Sequence, residues 1–212
     1  MVNNMENAVI IGVGGQSRVI ISILRSICDE TSIRLVDPDN RATDEIIMGI
    51  EVENFFAFDW SNSEHNNFYI ALGDNKHRDN MRTQLSNKKL RMPSLISPSA
   101  IIDPTVVMGD SNVICALSFL GPNSVLGENN LINTGAIIEH EVKIGNSCHI
   151  APNATLLGRS SIGNFCFLGS GSVVRENVSI QHEITLGAGA VILQNIEECA
   201  CVYVGVPAIK KR

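Results

Sequence analysis

The chain has 212 residues, of which 44% are hydrophobic, 18% charged and 5% aromatic, and its formal net charge is −6. This balance excludes an intrinsically disordered chain, and the acidic excess argues against a nucleic-acid-binding surface. With so few aromatic residues, we expect a core of Ile, Val, Leu and Ala. No apolar run reaches the roughly 18 to 20 residues that cross a bilayer, and the N-terminus does not resemble a secretory signal. The six Cys are scattered, so we expect a cytoplasmic protein with reduced thiols and no membrane partner.

Residues 1–92 predict a small βαβαβ domain with a Rossmann-like parallel sheet. An apolar strand begins at Ala8 and enters a Gly-rich turn. A helix with apolar spacing follows at residues 17–27, and two further strands are predicted at residues 33–36 and 68–72. A polar helix of about 13 residues begins at residue 76.

The Gly-rich turn reads Gly12-x-Gly14-Gly15-x-Ser17, so Ser17 replaces the third Gly of the dinucleotide fingerprint. Turn amides and a helix N-terminus still offer donors to a phosphate. Asp37 follows about 20 residues later, where a carboxylate can accept hydrogen bonds from a ribose. A purely structural turn and a nicotinamide cofactor remain alternative readings. The candidate nucleotide contacts are Gly14, Gly15, Gln16, Asp37, Pro38, Gly73, Asp74 and Asn75.

Residues 93–212 repeat with a period of six, because every sixth residue from Ile96 to Ile192 is a large aliphatic residue, called here an anchor. Two residues before most anchors the side chain is small, and a Gly often follows the anchor. One hexad makes a short strand and a corner, and three hexads close an 18-residue coil that stacks on the next at about 4.8 Å. We expect Gly and Asn at the corners because they tolerate positive φ. Separate strands of a β-sandwich would vary in spacing, and this spacing is constant.

This repeat resembles the hexapeptide-repeat acyltransferases, and the resemblance implies a left-handed parallel β-helix and a homotrimer. The Gly-rich turn, residues 133–141, residues 144–155 and the tail Gly205-Val206-Pro207-Ala208 together resemble the sialic-acid O-acetyltransferase type. They are more similar still to bacterial nucleotide-sugar N-acetyltransferases that act on 4-amino-dideoxy sugars. That resemblance implies acetyl-CoA as co-substrate and no metal. It also implies that His140 is the catalytic base, that Glu141 supports it and that His149 contacts acetyl-CoA. Ser170 and Ala188 are implied to line the pantetheine track.

The physical case for His140 is independent of the resemblance. An imidazole accepts a proton near neutral pH, and a neighbouring carboxylate raises its basicity. Consecutive strand residues point to opposite faces, so Glu141 can reach His140 only if the chain bends here. His140 and His149 are nine residues apart, which is half a coil and places them on different sides of the prism. If both residues serve one site, that site lies between subunits.

The three β-helix His residues are spaced by nine and by 33 residues, which does not fit the His-x4-His pattern of zinc-binding γ-type carbonic anhydrases. A sugar O-acetyltransferase of the sialic-acid type and a non-catalytic nucleotide-sugar-binding module remain alternatives. We expect an acetyl-CoA-dependent N-acetyltransferase that acts on the amine of a nucleotide-linked 4-amino-4,6-dideoxyhexose. Its expected setting is cell-surface glycan biosynthesis, such as O-antigen, capsule or glycoprotein. The sequence does not choose between UDP, dTDP and GDP.

Overall fold

The computed structural model describes residues 7–39, 45–60 and 63–211. The chain divides into two compact units, unit 1 (residues 1–98) and unit 2 (residues 99–212). The division falls at Pro98, a few residues after the boundary predicted from the sequence. Within the described residues, no helix is both long enough and apolar enough to cross a membrane.

Unit 1 is an α/β domain built on a mostly parallel sheet. Its elements are β1 (Asn7–Ile11), α1 (Gly15–Ile27), β2 (Ser32–Asp37), β3 (Ile46–Ile47), β4 (Ile50–Asn54), a 3₁₀ helix (Ser63–His65), β5 (Asn67–Ile70), α2 (Asn75–Asn87) and β6 (Leu95–Ile96). The sheet order is β3-β4-β2-β1-β5. Strands β4, β2, β1 and β5 are parallel, and β3 pairs antiparallel at the edge. The predicted α/β class and parallel sheet are confirmed.

The predicted βαβαβ order is wrong in its second half. The described residues between β2 and β5 contain the β3–β4 hairpin and a 3₁₀ helix instead of an α-helix, and α2 follows β5. Met48 and Gly49 form the hairpin turn, with φ of 50° and 82°. Positive φ at both central positions matches the right-handed twist of the flanking strands, which is why such turns join short hairpins.

The core of unit 1 contains more aromatic side chains than the composition led us to expect. Strand β1 is buried from Ala8 onward, and aliphatic residues of α1 are buried with it. Elsewhere in the unit, the Trp60 ring stacks on Phe68 at 6.0 Å and packs against Phe58 at 4.7 Å. Of the ten aromatic residues of the chain, six lie in unit 1 and four in unit 2.

Unit 2 is a parallel β-helix, as the six-residue period predicts. Its strands are β7 (Ile101–Ile102), β8 (Val107–Met108), β9 (Val113–Ile114), β10 (Phe119–Leu120), β11 (Val125–Leu126), β12 (Leu131–Ile132), β13 (Ile137–Ile138), β14 (Lys143–Ile144), β15 (His149–Ile150), β16 (Thr155–Leu156), β17 (Ser161–Ile162), β18 (Phe167–Leu168), β19 (Val173–Val174), β20 (Ser179–Ile180), β21 (Thr185–Leu186), β22 (Val191–Ile192), β23 (Val202–Val204) and β24 (Ile209–Lys210).

The strands of unit 2 stack into three faces. Face 1 runs from β7 through β10, β13, β16 and β19 to β22, face 2 from β8 through β11, β14 and β17 to β20, and face 3 contains β9, β12, β15, β18, β21 and β23. From β7 to β19 each strand residue pairs with the residue 18 positions later, for example Ile138 with Leu156, whereas β21 pairs with β23 at a spacing of 17. Strand β24 pairs antiparallel with β23.

The anchors fill the interior of the β-helix. From Ile114 to Ile192 every anchor is at most 4% exposed. The small residues two positions earlier are buried as well, including Cys148 and Cys166. Ile96 departs from this pattern: it is 39% exposed, and its neighbour Leu95 is buried instead. The inward and outward positions are therefore exchanged in β6.

The corners turn through the left-handed region at every sixth residue from Ser111 to Gly189, with φ between +55° and +66°. Asn occupies several of these positions, as predicted, but so do residues such as Glu141 and Arg159. The Gly residues that follow the anchors have no positive φ. These positions are occupied by Gly because the next coil lies close: a Cβ on Gly121 would lie 2.9 Å from the backbone nitrogen of His140.

Candidate active site

The predicted nucleotide contacts of unit 1 lie at one edge of the sheet. Strands β2, β1 and β5 are adjacent and parallel, so the segments that follow them meet at their carboxyl ends. Gly12 N–H donates to the Val36 carbonyl (2.9 Å), and Ala71 N–H donates to that of Ile11 (2.7 Å). Connections in open α/β sheets change direction at such an edge, and ligands bind in the crevice that results.

The Gly-rich turn is shaped for close approach. Gly12 has φ of +118°, and a Cβ there would lie 2.8 Å from the Ala71 carbonyl oxygen. Gly14 and Gly15 face open space, and the first turn of α1 has no side-chain cap and no acidic residue. Ser17, in place of the third Gly, closes the turn through a hydroxyl donating to the Gly14 carbonyl at 2.7 Å. The exposed N-terminus of α1 therefore presents backbone donors suited to a phosphate.

Asp37 lies at the end of β2 and is only 2% exposed. Its Oδ1 accepts a hydrogen bond from the Asp39 N–H at 3.0 Å, while Pro38 between them is half-buried. The structure thus brings Asp37 and Pro38 to the same sheet edge as the Gly-rich turn, and the carboxylate also holds its own turn.

The third segment, Gly73 to Asn75, is held by a buried Arg that we did not single out from the sequence. Arg78 is 2% exposed and donates to the carbonyls of Leu72 (3.1 Å) and Gly73 (3.2 Å) and to Asn75 Oδ1 (2.9 Å). Asp74 caps α2 by accepting from the His77 N–H at 2.8 Å. In the sequence, Arg78 is a lone Arg in the first turn of a polar helix, and nothing there distinguishes it from a solvent-exposed cation.

In unit 2 the corner between β13 and β14 carries the predicted base and its carboxylate. Glu141 has φ of 59°, which supplies the bend that a straight strand lacks and brings its carboxylate beside His140. His140 Nδ1 lies 3.0 Å from Glu141 Oε2, and both side chains are about half exposed. An ionised carboxylate on Nδ1 selects the tautomer with the proton on Nδ1, so Nε2 keeps the lone pair that accepts a proton.

The coil above this corner completes its surroundings. Arg159 Nε donates to the same Glu141 Oε2 at 2.9 Å. Hydrogen bonds from His140 and then from Arg159 hold the pKa of Glu141 below its usual value. Gly158 lies beside the ring, and a Cβ there would be 2.4 Å from His140 Nε2. Neither residue was predicted from the sequence, although adding one coil of 18 residues to positions 140 and 141 leads to them.

His149 lies on face 3, away from the corner that carries His140. Asn133 Nδ2 donates to His149 Nε2 at 3.2 Å, and the ring meets Phe167 edge-on at 5.1 Å. Asn133 lies in the segment 133–141 that carries the resemblance, but the sequence does not predict its contact with His149. The His149 ring is thus held in one orientation at the surface of face 3.

Ser170 and Ala188 stack one above the other at the corner between faces 3 and 1, and both are exposed. The Ser170 carbonyl accepts from the Gly189 N–H at 2.9 Å, and a Cβ on Gly169 would lie 2.6 Å from the Ala188 nitrogen. The structure therefore brings Ser170 and Ala188 to the corner that β15 leads into, and separates this group from His140 and Glu141 by the width of face 1.

Among the described residues, no group of three or more His, Cys, Asp or Glu side chains is arranged to hold a metal ion.

Two family models match the chain. Residues 7–85 match the PglD N-terminal domain, and residues 123–158 match the bacterial transferase hexapeptide (six repeats). A comparison with functionally curated proteins finds no match.

Solved structures match over nearly the whole chain. PerB from Caulobacter crescentus, in complex with CoA and GDP-perosamine, has a TM-score of 0.89 and 31% identity, covering 97% of this chain and 97% of that chain. A histidine-to-asparagine variant of perosamine N-acetyltransferase from the same organism has a TM-score of 0.90 and 30% identity, with the same coverage. The acetyltransferase domain of PglB from Neisseria gonorrhoeae, in complex with acetyl coenzyme A, has a TM-score of 0.88 and 26% identity, covering 97% of this chain and 99% of that chain.

Both halves of the predicted fold are thus found together in enzymes of one kind. The chain belongs to the hexapeptide-repeat transferases that carry a PglD-type N-terminal domain, and it is an acetyltransferase.

Proposed function

We propose that this protein transfers the acetyl group of acetyl-CoA to the amine of a nucleotide-linked 4-amino-4,6-dideoxyhexose. The observation that carries this proposal is the full-length likeness to PerB, solved with CoA and GDP-perosamine. The likeness to a PglB acetyltransferase domain solved with acetyl coenzyme A supports the same co-substrate.

His140 is the general base in this proposal. The sugar amine attacks the thioester carbonyl carbon, a C–N bond forms, and the C–S bond breaks as CoA leaves. The amine proton passes to His140 Nε2 and then to the departing sulfur, so that the products are the amide and the free thiol. The contact between His140 Nδ1 and Glu141 supports this role, because it leaves Nε2 as the proton acceptor and stabilises the ring once it is protonated.

Unit 1 binds the nucleotide at the carboxyl edge of its sheet. The uncapped N-terminus of α1 beside Gly14 and Gly15 suits the diphosphate, with Gln16 in the same turn. Asp37 and Pro38 at the end of β2, together with Gly73, Asp74 and Asn75 after β5, complete this proposed site.

The acetyl-CoA contacts are His149, Ser170 and Ala188. His149 is already oriented by Asn133 and Phe167. Ser170 and Ala188 are exposed on two successive coils, and an extended pantetheine arm can follow such a track along the β-helix.

We propose a homotrimer in which the active sites lie between subunits. His140 and His149 of one chain lie on different sides of the β-helix, so one site can use both only if they come from neighbouring chains. Face 1 also presents a ladder of outward apolar side chains, of which Ile101 is 65% exposed. An apolar stripe of this kind on a sheet face is a candidate for burial against another subunit. Its members are Ile101, Phe119, Ile137, Val173 and Val191, and Thr155 interrupts it between Ile137 and Val173.

The product is an N-acetylated activated sugar, which suits cell-surface glycan synthesis such as that of O-antigen, capsule or glycoprotein. We place the reaction in the cytoplasm, in keeping with six Cys side chains that are all free thiols.

The experiment is a thiol-release assay with the full-length protein, acetyl-CoA and a panel of UDP-, dTDP- and GDP-linked 4-amino-4,6-dideoxyhexoses, with sialic acid as a hydroxyl acceptor. We expect turnover with at least one amino sugar, and His140→Ala should lower kcat by about 10² to 10⁴-fold, the usual contribution of positioned proton transfer. His65→Ala, an exposed His of unit 1, is the matched control and should keep full activity. Turnover of sialic acid alone would favour the O-acetyltransferase alternative, and nucleotide-sugar binding without thiol release would favour the binding module.

A further inference from the structure

Gly158 and Arg159, in the coil above His140, contact the proposed catalytic pair of His140 and Glu141. Arg159 N–H donates to the His140 carbonyl at 3.0 Å, so this coil is hydrogen-bonded directly to the corner that carries the base. We propose that Gly158 and Arg159 are positioning residues that fix the orientation of the His140 imidazole. This inference rests on the proposed function, since it matters only if His140 is the base.

Gly158 has no side chain, and the His140 ring occupies the space that a side chain there would need. The three nearest heavy atoms to a Cβ at this position all belong to the His140 ring: Nε2 at 2.4 Å, Cε1 at 2.6 Å and Cδ2 at 3.1 Å. An Ala here would push the ring by about 1 Å or more before it reached an ordinary van der Waals distance.

The backbone of Gly158 does not itself require a glycine, because its φ is outside the left-handed region. The Gly residues that follow the anchors also have no positive φ, but a Cβ on Gly121 or Gly169 would meet the backbone of the next coil, which cannot move aside. At Gly158 the obstacle is a side chain that can rotate. An Ala at this position should therefore leave the β-helix intact and move only the ring.

Arg159 acts through Glu141. Its Nε and His140 Nδ1 share the same carboxylate oxygen, at 2.9 Å and 3.0 Å. A carboxylate held from above by Arg159 has one preferred direction in which to accept from His140. The two contacts together fix the ring plane, one by touching the ring and the other by holding its hydrogen-bond acceptor.

The main test is Gly158→Ala, measured with the acetyl acceptor found in the panel. We expect kcat to fall by about 10²-fold, as displacements of about 1 Å of a reacting group can cause, with both KM values within a few-fold and unchanged thermal unfolding. His140→Ala/Gly158→Ala should be no slower than His140→Ala alone, because the added methyl then has no ring to displace.

The outcomes separate the inference from the proposed function. If His140→Ala is impaired and Gly158→Ala is fully active, the positioning role of Gly158 is wrong. If Gly158→Ala slows the reaction equally in the His140→Ala background, it acts through another group and the inference also fails. If His140→Ala itself keeps normal turnover, the proposed base is refuted instead.

Arg159→Ala tests the second contact. Loss of the Arg159 cation and hydrogen bond should raise the pKa of Glu141 toward its ordinary value, which NMR titration of the side-chain carboxyl carbon measures. We expect kcat to fall by about two- to fivefold, since an exposed ion pair contributes little. Arg175→Ala removes a comparable exposed pair with Glu176 and should change neither quantity. An unchanged Glu141 titration and unchanged kcat in Arg159→Ala would refute the role of Arg159.

Discussion

Arg78 offers a sharp test of how unit 1 keeps its proposed nucleotide site in shape. Its guanidinium is buried and donates to two carbonyls and to the Asn75 side chain. In Arg78→Met the side chain keeps a similar length and loses every donor. Each buried acceptor left without a donor costs about 1–3 kcal/mol. The Gly73 carbonyl belongs to an exposed residue and the Leu72 carbonyl to a half-buried one, so both can turn to water. The loss therefore falls mainly on the side chain of the buried Asn75, and we expect it to be about 1–3 kcal/mol.

The chain contains a single Trp, and it provides the assay. Trp60 packs between Phe58 and Phe68 in unit 1, so its fluorescence during urea unfolding reports on this unit. The control is Arg25→Met, which removes an exposed Arg that donates to the Met48 carbonyl, and it should cost no more than about 0.5 kcal/mol. If Arg78→Met destabilises unit 1 no more than the control does, the argument that Arg78 holds the loop is wrong.

Two further predictions concern unit 2. Sedimentation should give a particle of about 69 kDa, three times the 23.0 kDa chain, and mixing inactive His140→Ala and His149→Ala chains should restore part of the activity; a fully active monomer would contradict the shared site. His182 Nδ1 accepts from the Asn164 N–H at 2.9 Å, just as Asn164 Oδ1 accepts from the Asn146 N–H at 2.8 Å one coil below. His182→Asn should therefore preserve the free energy of unfolding, whereas His182→Ala should lower it by about 1 kcal/mol; equal stability of the two variants would contradict this account.

The sequence predicted the β-helix well because each hexad solves the same packing problem. An inward anchor such as Ile138 and a small residue two positions earlier must recur wherever the interior has the same width. The β3–β4 hairpin was missed for the opposite reason: its strands are short, and the geometry of its turn depends on two residues, Met48 and Gly49.

The candidate site could be predicted only where its residues are neighbours in sequence. His140 and Glu141 are adjacent, so their chemistry is visible in the chain. Arg78 was not recognised, because nothing in a polar helix indicates which cation folds back onto the preceding loop. Gly158 and Arg159 become neighbours of His140 only when one coil stacks on the next.

The left-handed corners have a consequence for how such a protein can diverge. The backbone makes the same turn at Glu141, Arg159 and Phe165, so the turn is imposed by closure of the coil and not by the residue that occupies it. Non-glycine residues pay about 1–2 kcal/mol for this conformation, and the stacked interior offsets that cost at every level. The corner side chains can therefore be exchanged without altering the course of the chain. A new reactive group or binding specificity can be installed at a corner while the anchors, which hold the coil closed, remain the same.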